Sequence, residues 1–218
     1  MTSLRRSVLP FFTSLLVSSA AFAVDLLDGA VYVMTNQPAN EIVIYDRLGN
    51  GTLQRVGQIR TGGQGDPFRP GTTTLATDPL ASQGAIAIGL NSRVLFAVNA
   101  GSDEISAFAI GRTGLTRVDR VPSGGTRPIS LTTRGNLLYV LNEGGTPNVT
   151  AFTIASDGDL TRLSQSTRSL PSGDLGDPAQ VSFTPDGARL VITGKRSNLI
   201  ATLRVKSDGR TGTLTITP

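Results

Sequence analysis

The strongest constraint on the fold is an internal repeat that runs through the chain in four copies. A short phrase of Gly, Leu and alternating polar and apolar residues stands at 51–56, 114–118, 158–163 and 212–216. Upstream of each copy are an aromatic or β-branched phrase (31–36, 95–99, 138–142, 190–194) and an alternating run (42–45, 105–108, 149–152, 199–203). A unit of about 45–50 residues with several short strands is typical of a β-propeller blade.

Period-two alternation, β-branched residues and short Gly, Asp and Asn turns predict antiparallel strands throughout. A first strand precedes the aromatic phrase at 85–90, 128–133 and 179–184, but none precedes it in the first copy. Four blades of four strands, less this one, predict 15 strands. The fold class is therefore all-β, with about four blades of a larger ring. The alternatives are a β-sandwich, against which the ordered repeat argues, and a closed four-bladed ring, which needs the missing strand.

The spacing of the phrases also predicts the domain boundaries. Blades are expected at residues 24–61, 84–122, 126–168 and 177–218, with a long loop at 61–83. This insert is rich in Gly, Pro and Thr and has no hydrophobic period. A loop of that length in a compact domain is often functional or packs over one face of the ring.

The first 23 residues have the pattern of a secretory signal peptide. Arg5 and Arg6 precede an apolar stretch over residues 8–17, and small residues then lead to the cleavage-site pattern Ala21-Phe22-Ala23. The alternative is an N-terminal anchor helix, for which the apolar run is short. The expected location is periplasmic or extracellular, with no membrane span, and the export route, Sec or twin-arginine, stays open.

Composition excludes several chemistries. The chain has no His and no Cys, so it has no imidazole base, no Ser-His-Asp triad, no thiolate nucleophile and no disulfide. We expect no metal site and no cofactor. The net charge is +4, with no basic run and no interleaved aromatic residues, and nucleic-acid binding is therefore not expected.

Several phrases together resemble a known family. They are the Tyr-Val-x-x-Asn and Gly-x-Leu-Thr phrases and the segments 78–84, 121–125 and 183–187. In these the chain is similar to the lactonase-type seven-bladed β-propellers, which include 6-phosphogluconolactonase and 3-carboxymuconate cyclase-like proteins. The resemblance covers nearly all of residues 30–218, is closest to the secreted branch of the family, and corresponds to its N-terminal part.

The resemblance implies a cleft at the mouth of the central channel. It also implies a catalytic His near the start of an inner strand, a Glu after a second strand, and Arg residues that hold anionic groups. The His position corresponds to Gln180 and the Glu position to Gly194. Neither side chain can exchange a proton at neutral pH, so whether the chain is an enzyme stays open.

Other residues are candidates for the site. Glu143 ends a second strand, one blade before the expected Glu, and is the candidate catalytic base; a solvated loop Glu is the alternative. Arg127, at the start of an inner strand, and Lys195 are candidate substrate-binding cations, with Arg196 beside Lys195. Gln180 and Asn142 complete the candidate substrate-binding set. Because Asn recurs at 36, 99 and 142, a structural role at strand ends is the alternative for Asn142.

Two functions remain open from the sequence. One is a secreted lactonase or cyclase that opens or forms a sugar or carboxymuconate lactone. The other is a non-catalytic secreted propeller that binds a ligand or a protein. The expected ligand is small and anionic or sugar-like. Because each end blade would leave an apolar face in water, the remaining blades or a second copy are expected to close the ring, and the chain alone is expected to be poorly soluble, dimeric or incompletely folded.

Overall fold

The computed structural model describes residues 27–68, 72–171, 175 and 177–218. Within them the fold is all-β, with antiparallel strands in four sheets. The predicted signal peptide lies outside the described residues. The strands are β1 (Leu27–Met34), β2 (Glu41–Leu48), β3 (Leu53–Arg60), β4 (Ile86–Gly89), β5 (Val94–Asn99), β6 (Glu104–Gly111), β7 (Gly114–Pro122), β8 (Thr126–Arg134), β9 (Leu137–Gly144), β10 (Asn148–Ile154), β11 (Leu160–Arg162), β12 (Arg168–Ser169), β13 (Pro178–Phe183), β14 (Arg189–Gly194), β15 (Ile200–Val205) and β16 (Thr211–Thr217).

Each sheet is a meander in chain order, which confirms the partial propeller predicted from the repeat. Blade 1 is β1-β2-β3, blade 2 is β4-β5-β6-β7, blade 3 is β8-β9-β10-β11 with β12 also on β10, and blade 4 is β13-β14-β15-β16. Blade 1 has three strands, and the edge of β1 away from β2 pairs with no described strand. The described residues therefore supply no inner strand to this sheet, in agreement with the first sequence copy.

The described residues form 16 strands rather than the predicted 15. The difference arises in blade 3, whose fourth strand is divided into β11 and β12, both paired with β10. Between them, the Ser166 hydroxyl accepts from the Ala151 amide and donates to the Ala151 carbonyl. A serine side chain thus satisfies backbone groups of β10 where the ladder is interrupted, which a hydrophobic pattern does not reveal.

The core lies between the sheets, because the two faces of each middle blade pack on its two neighbours. Leu95 and Ala97 of β5 pack towards blade 1, against Tyr32 and Met34. The alternate residues of the same strand, such as Phe96, belong to the main core shared by blades 2, 3 and 4. All six residues of β5 are buried. We call the side of a blade that faces the next blade along the chain its forward face, and the opposite side its backward face.

Within residues 27–68, 72–171, 175 and 177–218, no segment forms a helix with the length and apolarity needed to cross a bilayer.

Candidate functional site

The candidate site is built from two backbone positions that recur in blades 2, 3 and 4. Near the start of each inner strand one residue has a positive φ: Gly84 (78°), Arg127 (54°) and Asp177 (23°). At the same rim, the position after the end of the second-strand phrase holds Ala100, Glu143 and Lys195. The repeat therefore brings one residue of each series to the channel mouth in every blade, and only blades 3 and 4 place charged residues there.

Arg127 is held in its unusual backbone conformation by a carboxylate of the preceding blade. Its amide donates to Asp103 Oδ1 at 2.6 Å. A non-glycine residue in the left-handed region is strained and persists where its surroundings fix it. The strain is found here at a predicted site residue, and it directs the Arg127 side chain into the ionic cluster described next.

Glu143 lies between the two candidate cations. One carboxylate oxygen accepts from Lys195 Nζ at 2.6 Å, and the other accepts from Arg127 Nη1. The three side chains are 12%, 20% and 11% exposed, respectively. The structure therefore brings together three of the five predicted site residues, from two neighbouring blades, in one largely buried ion-pair group.

The insert between blades 1 and 2 completes this group. Asp66 accepts from Arg127 Nε at 3.0 Å. The Pro79 carbonyl accepts from Arg127 Nη2 at 2.7 Å, and the Leu80 carbonyl accepts from Lys195 Nζ at 3.1 Å. Two carboxylates thus balance two cations, and one backbone carbonyl accepts a further hydrogen bond from each cation, which provides the pairing that buried charges require.

Asp66 is positioned by blade 1. The Asn36 side chain donates to the Asp66 carbonyl at 2.7 Å and accepts from the Asp66 amide at 3.0 Å. Asn36 itself has a φ of 51°, a conformation that Asn tolerates better than most residues. The turn after β1 therefore anchors the insert to the channel mouth.

Two clefts open on either side of the ionic group. One, of about 390 Å³, is lined by residues 76–79, Ala81, Glu143, Asp177, Lys195 and Arg196. The other, of about 460 Å³, has Arg127, Asp66 and Asp103 in its wall. Arg196 Nε pairs with Asp177 at 2.8 Å across a more exposed part of the first cleft. Glu143 and Lys195 are thus the innermost charged residues that a ligand in the first cleft would meet.

The other two predicted contacts lie elsewhere. Asn142 is fully buried and donates to Asn148 Oδ1 at 3.0 Å and to the Ser123 carbonyl at 3.4 Å. A ligand cannot reach it in this structure, so its role here is to connect β9 to β10. Gln180 lies along β13, pairs in register with Thr193, and does not line either cleft. Its side chain has no hydrogen bond to any described residue.

Gly194, where the resemblance implies a Glu, has no space for a side chain. A Cβ added there would lie 1.9 Å from the Leu175 carbonyl oxygen and 2.6 Å from Ser197 Oγ. The Lys195 amide next to it donates to the Asp177 carbonyl at 2.9 Å. The charged residue of this strand end is therefore Lys195, whose side chain extends to the carboxylate of the preceding blade.

Sequence reasoning did not identify the contribution of the insert. Asp66, Pro79 and Leu80 lie in a segment without hydrophobic period, and two of their contacts use backbone carbonyls, which carry no residue-type signal. The available signal was the length of the loop, which favoured a functional or covering role. No group of three or more metal-ligating side chains occurs in the described part of the chain.

Comparisons with known proteins agree with the repeat. Residues 67–174 match the family model described as lactonase, 7-bladed beta-propeller. This segment is lactonase-family sequence. It contains blades 2 and 3 and, with them, Arg127 and Glu143, and it confirms the resemblance inferred from the repeated phrases.

Solved structures support the same fold. A Lactobacillus plantarum protein matches with a TM-score of 0.62 at 20% identity, over 86% of this chain and 52% of its own. A putative 6-phosphogluconolactonase from Bacteroides fragilis matches with a TM-score of 0.55 at 17% identity, over 86% and 53%. The chain thus spans about half the length of those proteins. None of the curated proteins matches it.

Proposed function

We propose that this lactonase-type propeller hydrolyses a sugar lactone in the cleft beside Glu143. The observation that carries the proposal is the contact of the Glu143 carboxylate with Lys195 on the wall of a cleft at the channel mouth. Lactone hydrolysis requires a base for water and a positive charge for the developing oxyanion. The described cleft offers both within one pair of side chains.

The proposed chemistry uses no histidine. Water adds to the lactone carbonyl carbon while the Glu143 carboxylate accepts its proton. Lys195, with Arg196 nearer solvent, stabilises the tetrahedral oxyanion. The ring C–O bond then breaks, the alkoxide takes the proton back from Glu143, and the product is a hydroxy acid.

The charges of the cleft favour a neutral polyhydroxylated substrate. Asp78, Glu143 and Asp177 contribute three carboxylates, against the two cations Lys195 and Arg196. Sugar hydroxyls donate to carboxylates and accept from ammonium and guanidinium groups, whereas a phosphorylated or dicarboxylic lactone would meet a net negative wall. We therefore propose a neutral sugar lactone rather than an anionic one as the substrate.

A second candidate is a binding propeller without catalysis. Both oxygens of Glu143 are already in ion pairs, and both Arg127 and Lys195 also donate to residues of the insert. In that case the cleft binds a sugar-like ligand and turns nothing over. Export after cleavage near Ala23 is part of both proposals; N-terminal sequencing of the protein recovered from the periplasm or medium tests it.

Hydrolysis of glucono-δ-lactone by the purified chain, followed by proton release, tests the catalytic proposal. Glu143→Gln is expected to lower kcat/KM at least about 100-fold. The matched control is Glu104→Gln, which changes a carboxylate paired with Arg120 at the same rim but outside the cleft; its activity should equal that of the wild type. If a folded wild-type protein shows no rate above the spontaneous one but binds glucose, a neutral sugar of the same size, in calorimetry, the binding candidate is correct. If the folded protein shows no turnover and no binding, both candidate functions are wrong.

A further inference from the structure

The hairpins between third and fourth strands show how successive blades fit together. In blades 3 and 4 they contain the same turn: Gly158 donates to the Ala155 carbonyl at 3.0 Å, and Gly209 donates to the Lys206 carbonyl at 3.0 Å. Both glycines have positive φ, and each follows an aspartate, Asp157 or Asp208. The side chain of that aspartate accepts from the amide two residues on.

Each of these turn glycines lies against two apolar side chains of the preceding blade. A Cβ on Gly158 would lie 2.9 Å from Val118 and 3.3 Å from Val94. A Cβ on Gly209 would lie 2.8 Å from Leu137 and 3.0 Å from Leu163. In each blade, the first residue of the second strand and a residue in or directly after the fourth strand therefore form an apolar contact surface, on which the turn glycine of the next blade packs.

Blade 4 presents different chemistry at the equivalent positions. Its second strand begins with Arg189, in place of Val94 and Leu137, and Thr215, which pairs with Thr202 of the third strand, stands on the forward face where Val118 and Leu163 lie in blades 2 and 3. Arg189 pairs in register with Arg204, and both are exposed. Because their neighbours Leu190 and Leu203 are buried towards blade 3, the two arginines lie on the forward face of blade 4.

The charges of Arg189 and Arg204 are not neutralised by any described residue. Neither guanidinium has a hydrogen bond or ion pair to a described residue, and like charges directly opposite on neighbouring strands are destabilising. A carboxylate placed against both would remove the repulsion and form charge-assisted hydrogen bonds. The repeat shows where such a carboxylate comes from, since an Asp-Gly turn covers this position in blades 2 and 3.

Blade 1 of a second copy does not supply that carboxylate. Its hairpin has the same turn, in which Gly51 donates to the Leu48 carbonyl at 2.8 Å, but the residue before the glycine is Asn50. No described residue lies within 4 Å of a Cβ built on Gly51. The blade 1 turn therefore has no apolar contact of this kind within the described residues. In blades 3 and 4 the equivalent glycine packs on two apolar side chains of the preceding blade, whereas blade 4 offers Arg189 and Thr215.

We propose that the forward face of blade 4 binds a further propeller blade through an acidic Asp-Gly hairpin turn. The Arg189 stem lies over the turn glycine, and the two guanidinium groups contact the aspartate before it. The same charges exclude blade 1 of a second copy. Two copies of this chain therefore do not close a ring head to tail, contrary to one of the two ring-closing partners that the sequence predicts.

Substituting the chain's own turn provides the test. Asn50→Asp converts the blade 1 hairpin into the acidic turn at an exposed position, so a second copy becomes the proposed partner. Sedimentation velocity should show a monomeric wild type and self-association of Asn50→Asp, at least 10-fold stronger in low salt than in 1 M salt. Asn136→Asp, in the exposed turn between β8 and β9, is the matched control and should remain monomeric.

Removing the arginines decides which face is used. Asn50→Asp combined with Arg189→Ala and Arg204→Ala should return to a monomer. If Asn50→Asp sediments like the wild type, or if it associates equally well without the two arginines, the proposal is wrong. Head-to-tail association of the wild type that the two alanine substitutions abolish would also overturn it.

Discussion

The channel mouth of blade 2 and that of blades 3 and 4 use the same backbone positions with different chemistry. In blade 2 these positions hold Gly84 and Ala100, next to a neutral network in which Asn99 donates to Ser106 Oγ at 2.8 Å and accepts from Asn40 at 3.0 Å. In blades 3 and 4 they hold Arg127 and Glu143, then Asp177 and Lys195. The fold thus supplies equivalent positions in each blade, and a few charged residues at these positions form the candidate site.

The largest effect on the free energy of unfolding is expected when one side chain of the buried ion-pair group in blades 3 and 4 is neutralised. Glu143→Gln leaves Arg127 and Lys195 largely buried without their shared carboxylate, and should lower the free energy of unfolding by about 3 kcal/mol. Urea denaturation measures the loss. The more exposed pair changed by Glu104→Gln should cost less than about 1 kcal/mol; equal losses would mean that burial does not distinguish the two pairs.

Blade 4 differs from blades 2 and 3 at the end of its second strand, where it has Gly194 and they have Asn. Gly194→Ala puts a Cβ against the Leu175 carbonyl, which should destabilise by about 2 kcal/mol. Gly57→Ala is the control, since its Cβ would meet nothing within 4 Å and its φ is not positive. A thermal or urea midpoint for Gly194→Ala equal to that of the control would show that the strand end adjusts freely.

A smaller effect is expected where blade 3 has Tyr139 and blade 2 has Phe96. The Tyr139 hydroxyl donates to the Gly209 carbonyl at 2.6 Å, and its ring packs edge-on against Phe183 with centroids 5.4 Å apart. Tyr139→Phe converts blade 3 to the blade 2 pattern and should cost about 1 kcal/mol. Urea titration at pH 7 measures it, and Phe96→Leu, which keeps an apolar side chain without a hydroxyl, gives the packing reference.

The same tyrosine predicts a pH dependence. Burial, with a smaller effect of Asp208, raises the pKa of Tyr139 to about 12 from 10. The folded state therefore disfavours the tyrosinate, so this contribution to stability is complete below pH 10 and is lost as the pH rises from 10 to 12. Tyr139→Phe should lose less stability than the wild type over that interval. Parallel alkaline unfolding curves for the two proteins would contradict the assignment.

The sequence by itself determined the repeat, the strand order and the strand faces, because period-two patterning and turn residues are local properties. Placement at strand ends and the family resemblance also made Arg127, Glu143 and Lys195 candidates, and these are the three that the structure brings together. The sequence did not predict the divided fourth strand of blade 3, because there the Ser166 side chain satisfies backbone groups of β10.

Only the tertiary structure decided which candidates meet. Asn142 and Gln180 occupy plausible strand positions, yet one is buried and bonded to Asn148, and the other lines neither cleft. Asp66 and the carbonyls of Pro79 and Leu80 reach the site from an aperiodic insert, over separations of more than 40 residues. Such contacts depend on how sheets pack and how a loop lies over them, and no local pattern of residue types encodes that geometry.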